Sequence, residues 1–114
     1  MSRIDDVIIS AGYTIGPIEV EGAVIKHPAV EECAVIGSLD KDRGEVVKAL
    51  IVLRKGYKPS DVLAEEIKAF VKTKLSKHEY PREIEFTSEL PKTLDGKIKR
   101  KELKERERLR KGGV

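Results

Sequence analysis

Residues 91–100 combine residue types that could bind an anion. Pro91 ends one element, Gly96 permits a tight turn, and Lys97 follows at the exit of that turn, with three further basic residues in the same stretch. A lysine in such a turn can reach an anion as a mobile point charge. The stretch is not a phosphate-binding P-loop, because that motif requires a glycine at position 91. Taken alone, a basic turn that leads into a helix is the simpler interpretation.

The positive charge of the chain is concentrated around this turn. Residues 92–111 carry ten Lys/Arg against four Asp/Glu, a net charge of +6, whereas the 114 residues together carry +3. Such a block suits an anionic partner, which could be a nucleotide, a coenzyme phosphate, a nucleic acid or an acidic protein face. At this length we expect one small domain with its own core.

Several classes of protein are disfavoured by the remaining composition. Cys33 is the one cysteine, which excludes an internal disulfide, and its apolar surroundings indicate a buried, inert thiol. His27 and His78 lie far apart with no Cys/His cluster, so no metal site is predicted. Neither a signal peptide nor an apolar run of membrane-spanning length is present, and the cytoplasm is the expected location. The abrupt start suggests a piece of a longer protein.

The sequence of the first half of the chain predicts a hairpin, a helix and two strands. Residues 7–9 and 13–15 form the predicted hairpin, with Gly12 near its turn. Pro17 suits the first position of a helix, which we expect to end at His27, before Pro28. Two buried strands follow, over residues 30–38 and 45–53. The second is almost continuously apolar, which predicts a central strand covered on both faces.

The second half adds a helix, a strand and a charged helix. Ser60 is a good N-cap for a helix that runs to about Leu75, and residues 83–87 alternate as in a half-buried or edge strand. Residues 99–111 form a highly charged helix. Its apolar anchors are Leu103 and Leu109, so weak docking is expected. The elements together predict a compact α+β domain with a short N-terminal hairpin, a roughly three-stranded sheet and about three helices.

Nine short motifs follow one another along the chain, at residues 3–8, 12–13, 15–17, 19–21, 27–30, 35–37, 43–45, 80–82 and 90–98. Together they resemble the C-terminal domain of the adenylate-forming enzymes, the family of acyl- and aryl-CoA synthetases, luciferases and peptide-synthetase adenylation domains. The similarity covers about residues 3–105 and is greatest to the medium-chain acyl-CoA synthetases.

This resemblance implies an ATP-dependent ligase that works in two steps. A carboxylate first attacks the α-phosphate of ATP to give acyl-adenylate and pyrophosphate, and the thiol of CoA then displaces AMP. In that family a large N-terminal domain holds ATP, with its Mg²⁺, and the acyl group, while the small C-terminal domain rotates between two poses. The isolated chain should therefore be inactive, its main partner being that N-terminal domain, and its sequence does not define the acyl substrate.

The resemblance also assigns roles to individual residues. Lys97 matches the lysine of the adenylation step, Arg3 a residue at the ribose and phosphates of the nucleotide, and Asp5 the hinge. The segments implied are a hinge and hairpin loop at 1–16, an α+β core at 17–90, the lysine turn and basic helix at 91–111, and a loose tail at 112–114. The loop that enters the site for thioester formation comprises Ala11, Gly12 and Tyr13.

In the medium-chain branch, further positions fall where CoA is contacted: Arg43, Lys72, Tyr80, Pro81 and Arg82. The sequence departs from the family pattern at Thr14, where arginine is usual, at Ile9, where a polar or basic residue is common, and at Asp95, which places a carboxylate beside Lys97.

An alternative class is a stand-alone basic module that binds nucleic acid or another anionic partner through residues 92–111. Binding to bases usually requires aromatic stacking platforms, and this block has no aromatic residue. The chain also lacks a recognised nucleic-acid-binding signature. We therefore expect no nucleic-acid partner.

Overall fold

The computed structural model describes residues 6–75 and 78–112. Its elements follow in the order β1 (Ile8–Ser10), β2 (Tyr13–Ile15), α1 (Pro17–Val24), β3 (Val30–Asp40), β4 (Gly44–Leu53), α2 (Asp61–Lys72), β5 (Glu83–Phe86) and α3 (Arg100–Arg110). The α+β class is confirmed, as are the hairpin and the helix N-cap at Ser60, whose hydroxyl accepts a hydrogen bond from the backbone N–H of Leu63 at 3.0 Å.

The sheet has five strands, because the hairpin is continuous with it. The order β2-β1-β4-β3 is antiparallel, and β5 pairs with β4 in parallel. The prediction of about three strands counted the hairpin separately, whereas Ser10 pairs with Gly44. The central position of β4 is confirmed. Its alternate residues serve two cores, which explains why its sequence is apolar without interruption.

One face of the sheet is covered by α1 and α2, and the other by α3. Val47, Ala49 and Ile51 of β4 belong to the first core, which includes Val20 of α1 and Ile67 of α2. Leu50 and Val52 of β4 belong to the second core, on the other face. That core also contains residues of β3, of the segment after β5 and of α3, namely Ala34, Ile36, Leu90 and Leu103. The chain after β5 therefore crosses the sheet and returns over its opposite face.

Helix α1 ends at Val24, earlier than the predicted end at His27. His27 lies in the turn that follows, where its Nδ1 accepts a hydrogen bond from the backbone N–H of Ala29 at 3.1 Å and its Nε2 lies 2.8 Å from Glu66 of α2. The residue before a proline disfavours helical geometry, and here the chain unwinds one turn before that point. His27 is thus a buried link between α1 and α2.

Helix α3 is anchored differently from the prediction. Leu103 is buried as expected, but Leu109 is 64% exposed and the second anchor is Glu107, which is 5% exposed. The Glu107 carboxylate lies 2.7 Å from Nζ of Lys48 and accepts a hydrogen bond of 2.6 Å from the Ser38 hydroxyl. A carboxylate that pairs with the sheet thus replaces the expected leucine.

Candidate functional site

The turn that carries Lys97 is closed by its own backbone and by Thr93. The backbone N–H of Thr93 donates to the carbonyl of Lys97 at 2.7 Å, and the N–H of Lys97 donates to the Thr93 hydroxyl at 3.1 Å. Gly96 has a φ of +87°, a conformation that glycine adopts without steric cost. These contacts fix the direction in which the Lys97 backbone leaves the turn.

The Lys97 side chain is exposed, and within residues 6–75 and 78–112 its ammonium has no ion-pair partner. Asp95, which precedes Lys97 by two residues, accepts a hydrogen bond from the Thr93 hydroxyl. Leu94, at the tip of the same turn, is fully exposed. The turn therefore presents one cation and one apolar side chain to whatever lies opposite it.

Two ion pairs hold the base of the turn against the first half of the chain. Lys92 Nζ lies 2.5 Å from the Glu32 carboxylate of β3, and the guanidinium of Arg100 pairs with the carboxylate of Glu21 on α1. The N–H of Lys99 donates to the carbonyl of Pro91 at 2.9 Å.

The loop predicted for thioester formation is a two-residue hairpin turn. Ala11 and Gly12 have φ values of +50° and +84°, as a type I′ turn between twisted strands requires. The N–H of Ala11 donates to the carbonyl of Arg43 at 2.9 Å, and Nε of Arg43 donates to the Ser10 hydroxyl at 3.3 Å. The structure thus brings the predicted residue Arg43 to the base of this loop.

Tyr13 connects this loop to the segment that contains Tyr80. Its ring stacks on His78, with centroids 3.6 Å apart and an angle of 15° between the planes. The sequence interpretation considered His78 only as a potential metal ligand. No local pattern could have identified the stack, because the two residues lie in distant parts of the chain.

The residues around Tyr80 form a cationic cluster. Nζ of Lys72 lies 4.5 Å from the centroid of the Tyr80 ring, and Cζ of Arg82 lies 5.2 Å from it. Such contacts hold the two cations near each other on one surface. They line an open pocket of about 220 Å³ together with Glu65, Lys68, Ala69 and Tyr80. Pro81, which follows Tyr80 in the chain, is buried.

The Lys97 turn and the Gly12 hairpin loop lie at opposite ends of the domain. Lys92 is tied to Glu32 near the start of β3, an edge strand, whereas the hairpin loop adjoins Gly44, the partner of Asp40 at the end of β3. The eight steps along the strand from Glu32 to Asp40 span about 26 Å at the usual rise per residue. The hairpin also forms the other edge of the sheet. The Lys97 turn and the Gly12 loop therefore present separate surfaces.

Arg3 and Asp5 lie outside the described residues. Cys33 is buried as predicted, and this burial, together with the negative charge of Glu21, raises the pKa of its thiol to about 12. Among residues 6–75 and 78–112 there is no group of three or more potential metal ligands, and no helix is long and apolar enough to cross a membrane.

The basic block is not a continuous surface of free cations. Its ion pairs with carboxylates involve Lys92, Arg100, Arg106, Arg108, Arg110 and Lys111. Arg106 and Arg108 pair within α3 itself, at 2.5 Å each, with Glu102 and Glu105. Much of the charge thus serves to build the helix and dock it, which weakens the case for a nucleic-acid surface.

Comparison with known proteins gives a consistent picture. The sequence model of one protein family, the AMP-binding enzyme C-terminal domain, matches residues 19–97. A mitochondrial acyl-coenzyme A synthetase of Mus musculus is 55% identical over 109 residues, which are 94% of this chain and 19% of that protein.

Solved structures that resemble the chain come from enzymes of the same kind. The chain superimposes on an acyl-CoA synthetase of Brucella canis with a TM-score of 0.91 and 50% identity, over 97% of this chain and 20% of that one. An anthranilate CoA ligase in complex with anthranoyl-AMP gives a TM-score of 0.90 and 42% identity, over 96% and 21% respectively. The chain thus spans about a fifth of the length of the proteins it resembles.

Proposed function

The chain belongs to the family of AMP-binding enzyme C-terminal domains, and from that premise we propose that it serves as the mobile C-terminal domain of an ATP-dependent acyl-CoA synthetase. The complete enzyme would convert a carboxylate, ATP and CoA to acyl-CoA, AMP and pyrophosphate. The N-terminal domain of the same protein would supply the acyl pocket and most of the ATP site. Mg²⁺ would enter with ATP and be held outside this domain.

One observation carries the proposal: the two elements to which the resemblance assigns ligand contacts lie at opposite ends of the sheet. The Lys97 turn and the Gly12 loop are tied to strand positions about 26 Å apart. Only one of them can therefore enter an active site in a given pose of the domain. Two chemical steps that use one element each would require the domain to turn between them. This geometry supports the rotation that the family resemblance implies.

In the first step Lys97 would act as an electrostatic catalyst. A carboxylate oxygen forms a bond to the α-phosphorus of ATP, the bond from that phosphorus to the bridging oxygen breaks, and pyrophosphate leaves. Negative charge gathers between the carboxylate and the α-phosphate. An ammonium that contacts oxygens of both groups offsets this charge and holds them in line. The side chain of Lys97, which is exposed and has no ion-pair partner among residues 6–75 and 78–112, suits that role.

In the second step the opposite end of the domain would face the adenylate. The thiol of CoA loses its proton and its sulfur bonds to the acyl carbon, while the bond from that carbon to the phosphate oxygen breaks and AMP leaves with the electron pair. Gly12 has no side chain to obstruct the pantetheine, and Ala11 and Tyr13 would line its path. We assign the phosphates of CoA to the cations of Arg43, Lys72 and Arg82.

The remaining predicted roles stay proposals that rest on the resemblance. Asp5 would be the hinge at which the domain turns, and Arg3 would contact the ribose and phosphates of the nucleotide. Tyr80 and Pro81 would shape the CoA surface, since the Tyr80 ring holds Lys72 and Arg82 in place.

Product analysis of the full-length enzyme tests this function. Incubation with ATP, CoA and a series of straight-chain carboxylates should give AMP, pyrophosphate and one acyl-CoA in equal amounts. The matched control lacks residues 1–114 and should form no acyl-CoA. Release of ADP and phosphate, or undiminished acyl-CoA formation by the truncated enzyme, would overturn the proposal.

A further inference from the structure

The carboxylate of Glu21 joins three elements of the domain at one point. One oxygen accepts hydrogen bonds from the backbone N–H of Val35 at 2.8 Å and from Nε of Arg100 at 3.0 Å, and the other pairs with a terminal nitrogen of Arg100. Glu21 is in α1, Val35 in β3, and Arg100 is the first residue of α3. Helices on opposite faces of the sheet are thereby connected across its edge.

The partners of Glu21 make this contact rigid. Two parallel bonds between a planar guanidinium and a carboxylate fix both the distance and the orientation of the pair. The side chains of Glu21 and Arg100 are 14% and 18% exposed, so little water competes for them. The third bond, from Val35, comes from the free edge of β3, where a backbone N–H otherwise lacks a partner in the sheet.

Arg100 lies three residues after Lys97, at the point where the turn becomes helix. The other end of the turn is held by the ion pair of Lys92 with Glu32, which is also in β3. One end of the turn is thus fixed directly to β3, and the other is fixed to β3 through Glu21. If Arg100 lost its partner, the exit of the turn would keep its backbone hydrogen bonds, such as that from Lys99 to Pro91, but would lose its ion pair with α1.

We propose that Glu21 is a positioning residue for the adenylation step, which acts through Arg100 to hold the Lys97 turn at a fixed place on the domain. This rests on the role proposed above for Lys97. The effect is selective, because the Gly12 loop is anchored separately through Arg43 and Gly44. Loss of the Glu21 contact misplaces the ammonium in the first step and leaves the surface of the second step intact.

Glu21→Gln in the full-length enzyme tests the proposal, because glutamine keeps the size of the side chain and removes its charge. A displacement of about 1 Å at a catalytic group costs up to ~10²-fold in rate, so we expect pyrophosphate exchange to fall between about 10- and 100-fold. Transfer to CoA from supplied acyl-adenylate should change less than about twofold on the same grounds. Arg100→Lys should give the same selective loss, since lysine cannot form the paired bonds.

The control variant is Glu107→Gln, which weakens the docking of the same helix away from the turn. It should change both half-reactions by a common factor, whereas Glu21→Gln affects the first alone. If the Glu21→Gln enzyme does not fold, the two half-reaction assays of Arg100→Lys test the inference in its place. Equal loss of both half-reactions in a folded Glu21→Gln or Arg100→Lys enzyme, or normal exchange, would overturn the inference.

A background of Lys97→Ala separates this inference from the proposed function. Glu21→Gln should cause no further loss of exchange in that background, because the group that it positions is already absent. A further loss of tenfold or more would show that Glu21 acts elsewhere and would overturn the inference alone. Normal exchange in Lys97→Ala itself would instead overturn the role of Lys97.

Discussion

The ring of Tyr13 lies parallel to the ring of His78, with 3.6 Å between their centroids. This stack joins the hairpin loop to the segment that carries Tyr80 and Arg82, so the loop and the cationic cluster form one surface. Its consequence is that the loop conformation depends on a residue outside the hairpin.

His78→Ala in the full-length enzyme should therefore impair the second half-reaction, because the Tyr13 ring loses the partner that orients it. We expect a KM for CoA raised several-fold and a rate of pyrophosphate exchange that is unchanged. His78→Phe is the matched control, since a phenyl ring can stack in the same place and should restore most of the affinity for CoA. An unchanged KM in His78→Ala would mean that the stack has no part in binding CoA.

Gly12→Leu should affect function far more than folding. A side chain at Gly12 meets no atom within 4 Å in this domain, so the cost to the 114-residue chain is that of the positive φ, about 1–2 kcal/mol. In the full-length enzyme the same side chain should obstruct the path of the thiol and abolish CoA transfer with little loss of adenylation. Chemical denaturation and the two half-reaction assays measure these effects. Equal loss of both steps would contradict the placement of this loop.

The buried Glu107 carboxylate, paired with Lys48, should make the free energy of unfolding depend on pH in the acidic range. Burial alone would raise the pKa of the Glu107 carboxyl, but hydrogen bonds from Arg110, Lys48 and Ser38 outweigh it and lower the pKa from 4.5 to about 2. A lowered pKa in the folded state stabilises the fold fully above pH 4.5, and this contribution is lost as the pH falls toward 2.

Glu107→Gln should thus reduce the free energy of unfolding near pH 7 by about 3 kcal/mol, the lower end of the range for breaking a buried pair, since Glu85 still contacts Lys48. Urea denaturation should show this difference shrinking as the pH falls below 4.5. Glu102→Gln, which breaks an exposed pair on the same helix, should cost no more than about 0.5 kcal/mol. A pH-independent difference would refute the argument.

Much of the fold follows from local patterns, whereas the contacts that position the site do not. The apolar run at 45–53 predicted the central strand, and Ser60 predicted the start of α2. Lys48 and Glu107 are 59 positions apart, and Glu21 and Arg100 are 79 apart. Buried ion pairs of this kind leave no periodic signal, because each partner alone resembles a solvent-exposed charge. That is why the second anchor of α3 was assigned to Leu109.

For the site, the motifs predicted which residues contact ligands, but not how those residues are arranged. The structure places Arg43 at the hairpin loop and gathers Lys72, Tyr80 and Arg82 on one surface. The separation of this surface from Lys97 depends on the register of β3 with β4 and on the path of the chain across the sheet, which sequence patterns do not specify.

The central claim is that Lys97 serves adenylation and not thioester formation, and half-reaction kinetics of Lys97→Ala in the full-length enzyme test it most directly. Pyrophosphate exchange should fall by ~10²–10³, the usual cost of one preorganised electrostatic contact, while CoA transfer from supplied acyl-adenylate should stay near normal. Lys97→Arg should also lose pyrophosphate exchange, because a planar guanidinium does not replace a compact ammonium. Lys99→Ala, at a neighbouring exposed lysine, should retain both activities. Normal exchange in Lys97→Ala, or equal loss of both steps, would contradict the account.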